Sequence, residues 1–433
     1  MTDKSDSAAA SGRRRRPGLW LPVVLGLLFL PAVSSWQAEF RVHSYVVNDQ
    51  TAPALATDGS GRFLAVWVSE RQDGELTGIF ARLFSSYGMT QGPEFQVNAD
   101  WEHLQEKPFV AAGPDGRYII TWYNYNGMNV AARIYDNNGF PLTGEFIVNE
   151  QSWTFKGGQA AAMDRNGGFI VVWHAHGYES GLCQVYARLF DPNGVPVGPQ
   201  FRISADSGGD QMNPAVAMHR DGHFTVVWTR FSADGFGSEI IGRRFSRTGL
   251  PLEKEFFISS SAPGRRDQAR LVMDTSGAFI VCWHAHTYTP EAYNILVRRF
   301  SPMAFPLGGE FIVNSHRNGW QVFPSIAFGE AGYLVTWQSY EQDGDHYGIF
   351  AVILDRDGAS RVQEFQVNSM SHGRQERPAG VFLSHNRIAV VWQDLGDNAA
   401  DWDVYAAISD VAYHSRDNAH VVDRDLNPPS KIK

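Results

Sequence analysis

Two short runs set imidazoles in pairs: His174-Ala175-His176 and His284-Ala285-His286. Side chains two apart on an extended strand point the same way, so each run presents two imidazoles together. Two such pairs have the donor chemistry of a zinc or other transition-metal site. Both runs, however, directly follow a tryptophan, and the third position past it holds Tyr125, Phe231 and Tyr340 in related segments. That pattern favours an aromatic packing column in which histidine substitutes twice. His174, His176, His284 and His286 stay as the candidate metal ligands.

Other groups invite recognition rather than reaction. Trp101, Trp153, Trp320 and Trp402, with Tyr178 and Tyr288, fall in segments that read as loops. Exposed aromatics there suit sugar-ring stacking or a protein hot spot, against the alternative of packing over the tops of the strands. Acidic stretches at 341–345 and 394–397 offer oxygen ligands but lack the alternating carboxylates of a calcium loop, so calcium is only a weak expectation. Arg82, Arg133, Arg188, Arg243 and Arg298 each precede Glu94, Glu145, Gln200, Glu255 or Glu310 by 12 residues. Across a symmetric hairpin this predicts a ladder of cross-strand pairs, in four cases ionic. No nucleophile elbow, HExxH, P-loop or dinucleotide fingerprint is present.

The elements that must position these residues are repeats. A tryptophan ends an apolar pentapeptide seven times, at Trp67, Trp122, Trp173, Trp228, Trp283, Trp337 and Trp392, spaced by 55, 51, 55, 55, 54 and 55 residues. Five continuous apolar residues suit a strand buried on both faces. A short strand precedes each one, as in Pro53-Ala54-Leu55-Ala56, and an ARLF-like strand follows, as at 81–84. A glycine turn then leads to an EFxVN strand, as in Glu94-Phe95-Gln96-Val97-Asn98. Four short strands per repeat predict an all-β, seven-bladed β-propeller of four-stranded antiparallel blades. Glu39-Phe40-Arg41-Val42 stands in the register of a further EFxVN and is expected to close the ring, in preference to a degenerate copy at 419–423. Asn-, Asp- and Gly-rich hairpins fall on one face. The longer, varied loops share the other, where binding is expected. Five repeats carry Gln three residues before a proline, whereas repeats three and five carry Lys156 and Arg266.

The repeat, roughly PAVAxxxDGxFVVVW…ARxF…EFxVN and best seen at Pro214–Trp228 and Ile349–Asn368, resembles one found in secreted and surface proteins of environmental bacteria. The resemblance spans about residues 39 to 408. It implies an extracytoplasmic propeller and carries no catalytic residues.

Arg13–Arg16, the apolar run Leu19–Pro31 and Val33-Ser34-Ser35 read as an export signal at 1–35, with cleavage expected after Ser35. The propeller is expected at 36–408 and a polar tail at 409–433. Without the first 35 residues the chain has 32 Lys+Arg against 44 Asp+Glu, a net charge of −12. Such a surface disfavours nucleic acid, and membrane contact is expected only through an uncleaved signal or a partner complex. Cys183 and Cys282 are not equivalent in their repeats, so no disulfide is expected. The resulting expectation is an exported, non-enzymatic propeller, periplasmic, surface-bound or secreted, that holds a protein partner or glycan on its loop face without a cofactor. The alternative is a metal-assisted hydrolase or glycan-processing enzyme that uses the four histidines.

Overall fold

A computed structural model describes residues 33–36, 39–150, 154–176, 181–205, 208–260, 264–288, 291–383, 386–396 and 399–411. These form the expected propeller of seven antiparallel blades. Blade one runs from an inner strand Gln50–Thr57 through Phe63–Glu70 and Thr77–Phe84 to an outer strand Phe95–Gln96, and the pattern repeats around the ring. The last blade takes Arg374–Phe382, Arg387–Leu395 and Asp403–Val411 from the C-terminal side. Its outer strand comes from the N-terminal side: Phe40 opposes Ala406 and Arg41 opposes Tyr405. Val33–Trp36 pairs with the far end of the same strand, Val33 opposite Val411. The expected cleavage after Ser35 would cut this strand. The competing segment 419–423 lies outside the described residues.

Each tryptophan of the repeat is buried to 1% exposure or less. One sits in each of seven apolar clusters, and each cluster joins two neighbouring blades. A repeat cannot bury its indole alone, so the blades stabilise one another only when stacked. In three of its five blades the repeat glutamine takes up the indole. In blade six the Trp337 N–H has no partner among the described residues, and in blade seven Trp392 turns to Asp394. Gln50, Gln105 and Gln211 accept the indole N–H of Trp67, Trp122 and Trp228 at 3.2, 2.9 and 2.6 Å.

The arginine–glutamate ladder is a correction. The arginines bond carbonyls instead: Arg133 donates to Thr143 O in its own hairpin and to Val97 O of the preceding blade, both at 3.1 Å. Arg188, Arg243 and Arg298 do the same. The glutamates reach the same way along the ring, accepting the N–H of the residue after the EFxVN asparagine one blade back. Ala99 bonds Glu145 at 2.7 Å and Ser260 bonds Glu310 at 2.8 Å. Ser369 of blade six bonds Glu39, and Ser44 bonds Glu94 at 2.7 Å, so the N-terminal strand joins the same circuit. Charge-assisted bonds tie these side chains to the backbone of the neighbouring blade, whereas an exposed ion pair would contribute little. Both cysteines are free and buried.

Candidate functional site

Every inner strand breaks its ladder at its third residue, or its fourth in blade seven, with a register shift such as that between Thr51 and Ala54. The bulged residue is Ala52, Lys107, Gly158, Asn213, Gln268, Phe323 or Arg377, all with φ between 50° and 59°. Six of the seven are not glycine, so the left-handed conformation is held by its surroundings at a cost of roughly 1 kcal/mol each. Bulges re-aim side chains. Here they direct seven unlike residues into the mouth of the central channel, a cavity of about 1280 Å³.

The blade behind supports several of these bulges. His174 Nδ1 accepts the N–H of Asn213, and His284 Nδ1 accepts that of Phe323, each at 3.3 Å. Gln338 and Gln393 do the same for Arg377 and Ala52 at 2.9 and 3.0 Å. Burial pushes both imidazoles down to about 4, so each is a neutral acceptor. His176 sits edge-on to Phe155 at 6.4 Å, and His286 packs on Tyr293 at 5.0 Å. Among the described residues no three His, Cys, Asp or Glu side chains group as a metal site requires. The Nδ1 lone pairs of His174 and His284 are already engaged by backbone, and the two histidine pairs are not brought together.

Of the predicted aromatics, Trp101 and Trp320 are about half exposed on the loop face. Trp320 also stands edge-on to Tyr293 at 6.1 Å. Trp402 lies under the Arg374 guanidinium at 5.5 Å. Trp153 and Tyr178 fall outside the described residues, as does the Tyr288 side chain. In the acidic stretch 341–345, Asp343 accepts from Gln366 and Asn368, and Asp345 from the Gly373 N–H, so both carboxylates brace their own loop.

The channel is polarised by residues that the repeat pattern conceals. Lys107 and Arg377 occupy bulges, and Arg270 of blade five lines the same cavity, donating to Ala269 O and Gln268 Oε1. Asp58, Asp274 and Glu330 line the opposite end, with Arg220 and Arg356. One residue before the bulge, Glu106, Asp267 and Glu376 share a single register in blades two, five and seven. Asp267 is fixed by Asn213 Nδ2 and Thr229 Oγ1 at 2.8 Å and by the Gln268 N–H at 2.7 Å. Among the described residues Glu106 accepts the Tyr125 hydroxyl at 3.2 Å, and Glu376 pairs with Arg374 at 2.5 Å. The available signal was variation at fixed register: Thr51, Gly157, Met212 and Val322 stand where these acids do.

No family model matches the chain, and no curated protein matches it. Solved structures do. A protein of unknown function from Dyadobacter fermentans superposes with a TM-score of 0.53 at 8% identity, over 86% of this chain and 98% of that one. An α-L-arabinanase from Penicillium chrysogenum gives 0.47 at 12%, over 87% and 98%. An α-L-arabinofuranosidase from Fusarium graminearum gives 0.46 at 9%, over 68% and 90%. At these identities the likeness establishes the propeller and nothing finer. The propellers of stated activity named here are glycan-processing enzymes, and none is the non-enzymatic scaffold expected from the sequence.

Proposed function

We propose that the chain is a glycan-processing enzyme acting at the bulge-lined mouth of its central channel. The observation that carries this reading is a large channel cavity lined by all seven strained, bulged residues, with Glu106, Asp267 and Glu376 one residue outside that lining in blades two, five and seven. Glycosidic cleavage needs two carboxyl groups in different environments, one to move a proton and one to act as base or nucleophile. Asp267, locked by three donors, is the positioned carboxylate. Glu106, held by a single phenol, is the group free to exchange a proton with the glycosidic oxygen or a water. Trp101 and Trp320 offer stacking faces for neighbouring sugar rings. The cations Lys107, Arg270 and Arg377 favour a sugar that carries a carboxylate or sulfate. An exported location, as expected from residues 1–35, would place such an enzyme beside its polymer.

The test is release of reducing ends from a panel of neutral and uronate-containing polysaccharides by the purified chain. Turnover should fall at least 100-fold in Glu106→Gln and in Asp267→Asn, with the fold retained. Turnover unchanged in both variants, or no release from any polymer in the panel, overturns the reading.

A further inference from the structure

The face opposite the channel mouth carries a feature that glycan chemistry does not use. In blades one to five, the turn between the third and outer strands ends in an exposed apolar residue at one fixed position. These are Met89, Phe140, Val195, Leu250 and Phe305, between 57% and 69% exposed. A second apolar side chain follows two residues later in blades two to five, as at Leu307, 46% exposed. The turns share one geometry, each closed by a bridge such as Tyr135 to Pro141 or Phe300 to Pro306.

They are also contiguous. In blades two to four the turn glycine lies on the outer-strand phenylalanine of the blade before it: a Cβ on Gly139 would meet Phe95 at 3.2 Å, one on Gly194 would meet Phe146 at 3.0 Å, and one on Gly249 would meet Phe201 at 3.0 Å. The result is an apolar arc over five neighbouring blades. It stops at blade six, where the same position holds Ala359. Soluble surfaces scatter their apolar residues singly, and a contiguous, periodic arc marks a contact surface.

The chain itself indicates the occupant. Val33 pairs with Val411, at the end of the third strand of blade seven from which the turns of blades one to five depart. Immediately before it in sequence stands the apolar run Leu19–Pro31. That run is too short for a comfortable span, and stable membrane attachment generally takes a second contact. We propose that the run is retained rather than cleaved after Ser35 and that the arc is this contact: the turns of blades one to five rest in the interfacial layer of a lipid bilayer. The channel mouth then faces away from the membrane. The five turns carry only Asp136, Asp191 and Arg247 as charged residues, which suits zwitterionic headgroups.

The test places single tryptophans in the full chain, as Leu250→Trp and Phe305→Trp on the arc and Phe236→Trp on the opposite face, where Phe236 is 80% exposed. Each protein is reconstituted into phosphatidylcholine vesicles with or without brominated acyl chains. Relative to the unsubstituted chain, the added emission of the two arc tryptophans should be quenched at least twofold by bromine and that of Phe236→Trp left unchanged. Equal quenching on both faces, or none on the arc, overturns the proposal. Arc emission that becomes shielded from bromine as the protein-to-lipid ratio rises assigns the arc to a second copy of this chain and also overturns it. All three positions are exposed, so the substitutions leave the core intact.

Discussion

Blades three and five differ from blades six and seven at the residue that follows the strand tryptophan. The first pair places His174 and His284 there, the second Gln338 and Gln393. All four do one job, accepting the N–H of the bulged residue in the next blade at 2.9 to 3.3 Å. A side chain that resembles a metal ligand in one blade is thus interchangeable with an amide in another. The difference between them is that only histidine titrates.

That difference makes acid the strongest way to separate the two pairs of blades. The folded value of each buried imidazole lies at about 4, below its ordinary 6.5. The stability it contributes is therefore full above pH 6.5 and is lost as pH falls toward and through 4. Each histidine should cost roughly 3 kcal/mol on full protonation. Urea unfolding from pH 7 to pH 4 should show a steep loss that the double variant His174→Gln and His284→Gln largely removes. An unchanged acid slope in the double variant would show that the imidazoles are not the titrating groups.

At neutral pH the same equivalence is tested by geometry alone. His284→Leu leaves the Phe323 N–H without its acceptor and should destabilise by about 2 kcal/mol. His284→Gln restores an acceptor and should cost under about 1 kcal/mol, as the counterpart in blade six implies. If the two variants are equally costly in urea unfolding, the hydrogen bond is incidental and ring packing against Tyr293 and Phe323 dominates.

How much of this was legible in the chain follows from the period. Strands, turns and indoles repeat every 55 residues or so, and whatever repeats could be aligned, including the closing strand at Glu39. The partners of the repeated arginines and glutamates were misassigned because sequence spacing shows distance within one hairpin and hides distance between blades. Glu106, Asp267 and Arg270 were missed for the converse reason. They vary at a position whose significance comes from a backbone bulge, and a left-handed lysine or phenylalanine leaves no compositional sign. The histidine pairs drew attention by their type, whereas the glutamines that perform the same task did not.

Blade seven sharpens the comparison with the opposite sign. Asp394 stands where blade six has Ser339, and burial raises its carboxyl to about 6. The folded state binds this proton more tightly than the unfolded state does, so stability falls as pH rises from 3.8 through about 6. Asp394→Asn keeps an oxygen for the Trp392 N–H, which Asp394 now accepts at 3.4 Å. It should raise stability at pH 7 by roughly 1–2 kcal/mol, with little gain at pH 4. A gain of equal size at both pH values would exclude titration of Asp394 as its source.

The smallest expected effect concerns the indoles of blades four and five. Trp228 donates to Gln211 at 2.6 Å, whereas the Trp283 indole N–H has no partner among the described residues. Arg266 stands where the glutamine would be, and its guanidinium turns away to Gly264 O at 3.3 Å. Arg266→Gln should therefore supply the missing acceptor. The gain is set by one neutral hydrogen bond less the contact to Gly264, so it should stay under about 1 kcal/mol. The reverse change, Gln211→Arg, should cost about 1 kcal/mol or more by orphaning the Trp228 N–H. Thermal unfolding of the two variants measures both directions. If Arg266→Gln destabilises while Gln211→Arg is neutral, the glutamine of the repeat does not act through the indole. Blades three and five would then differ from the rest for a reason other than the partner of their tryptophan.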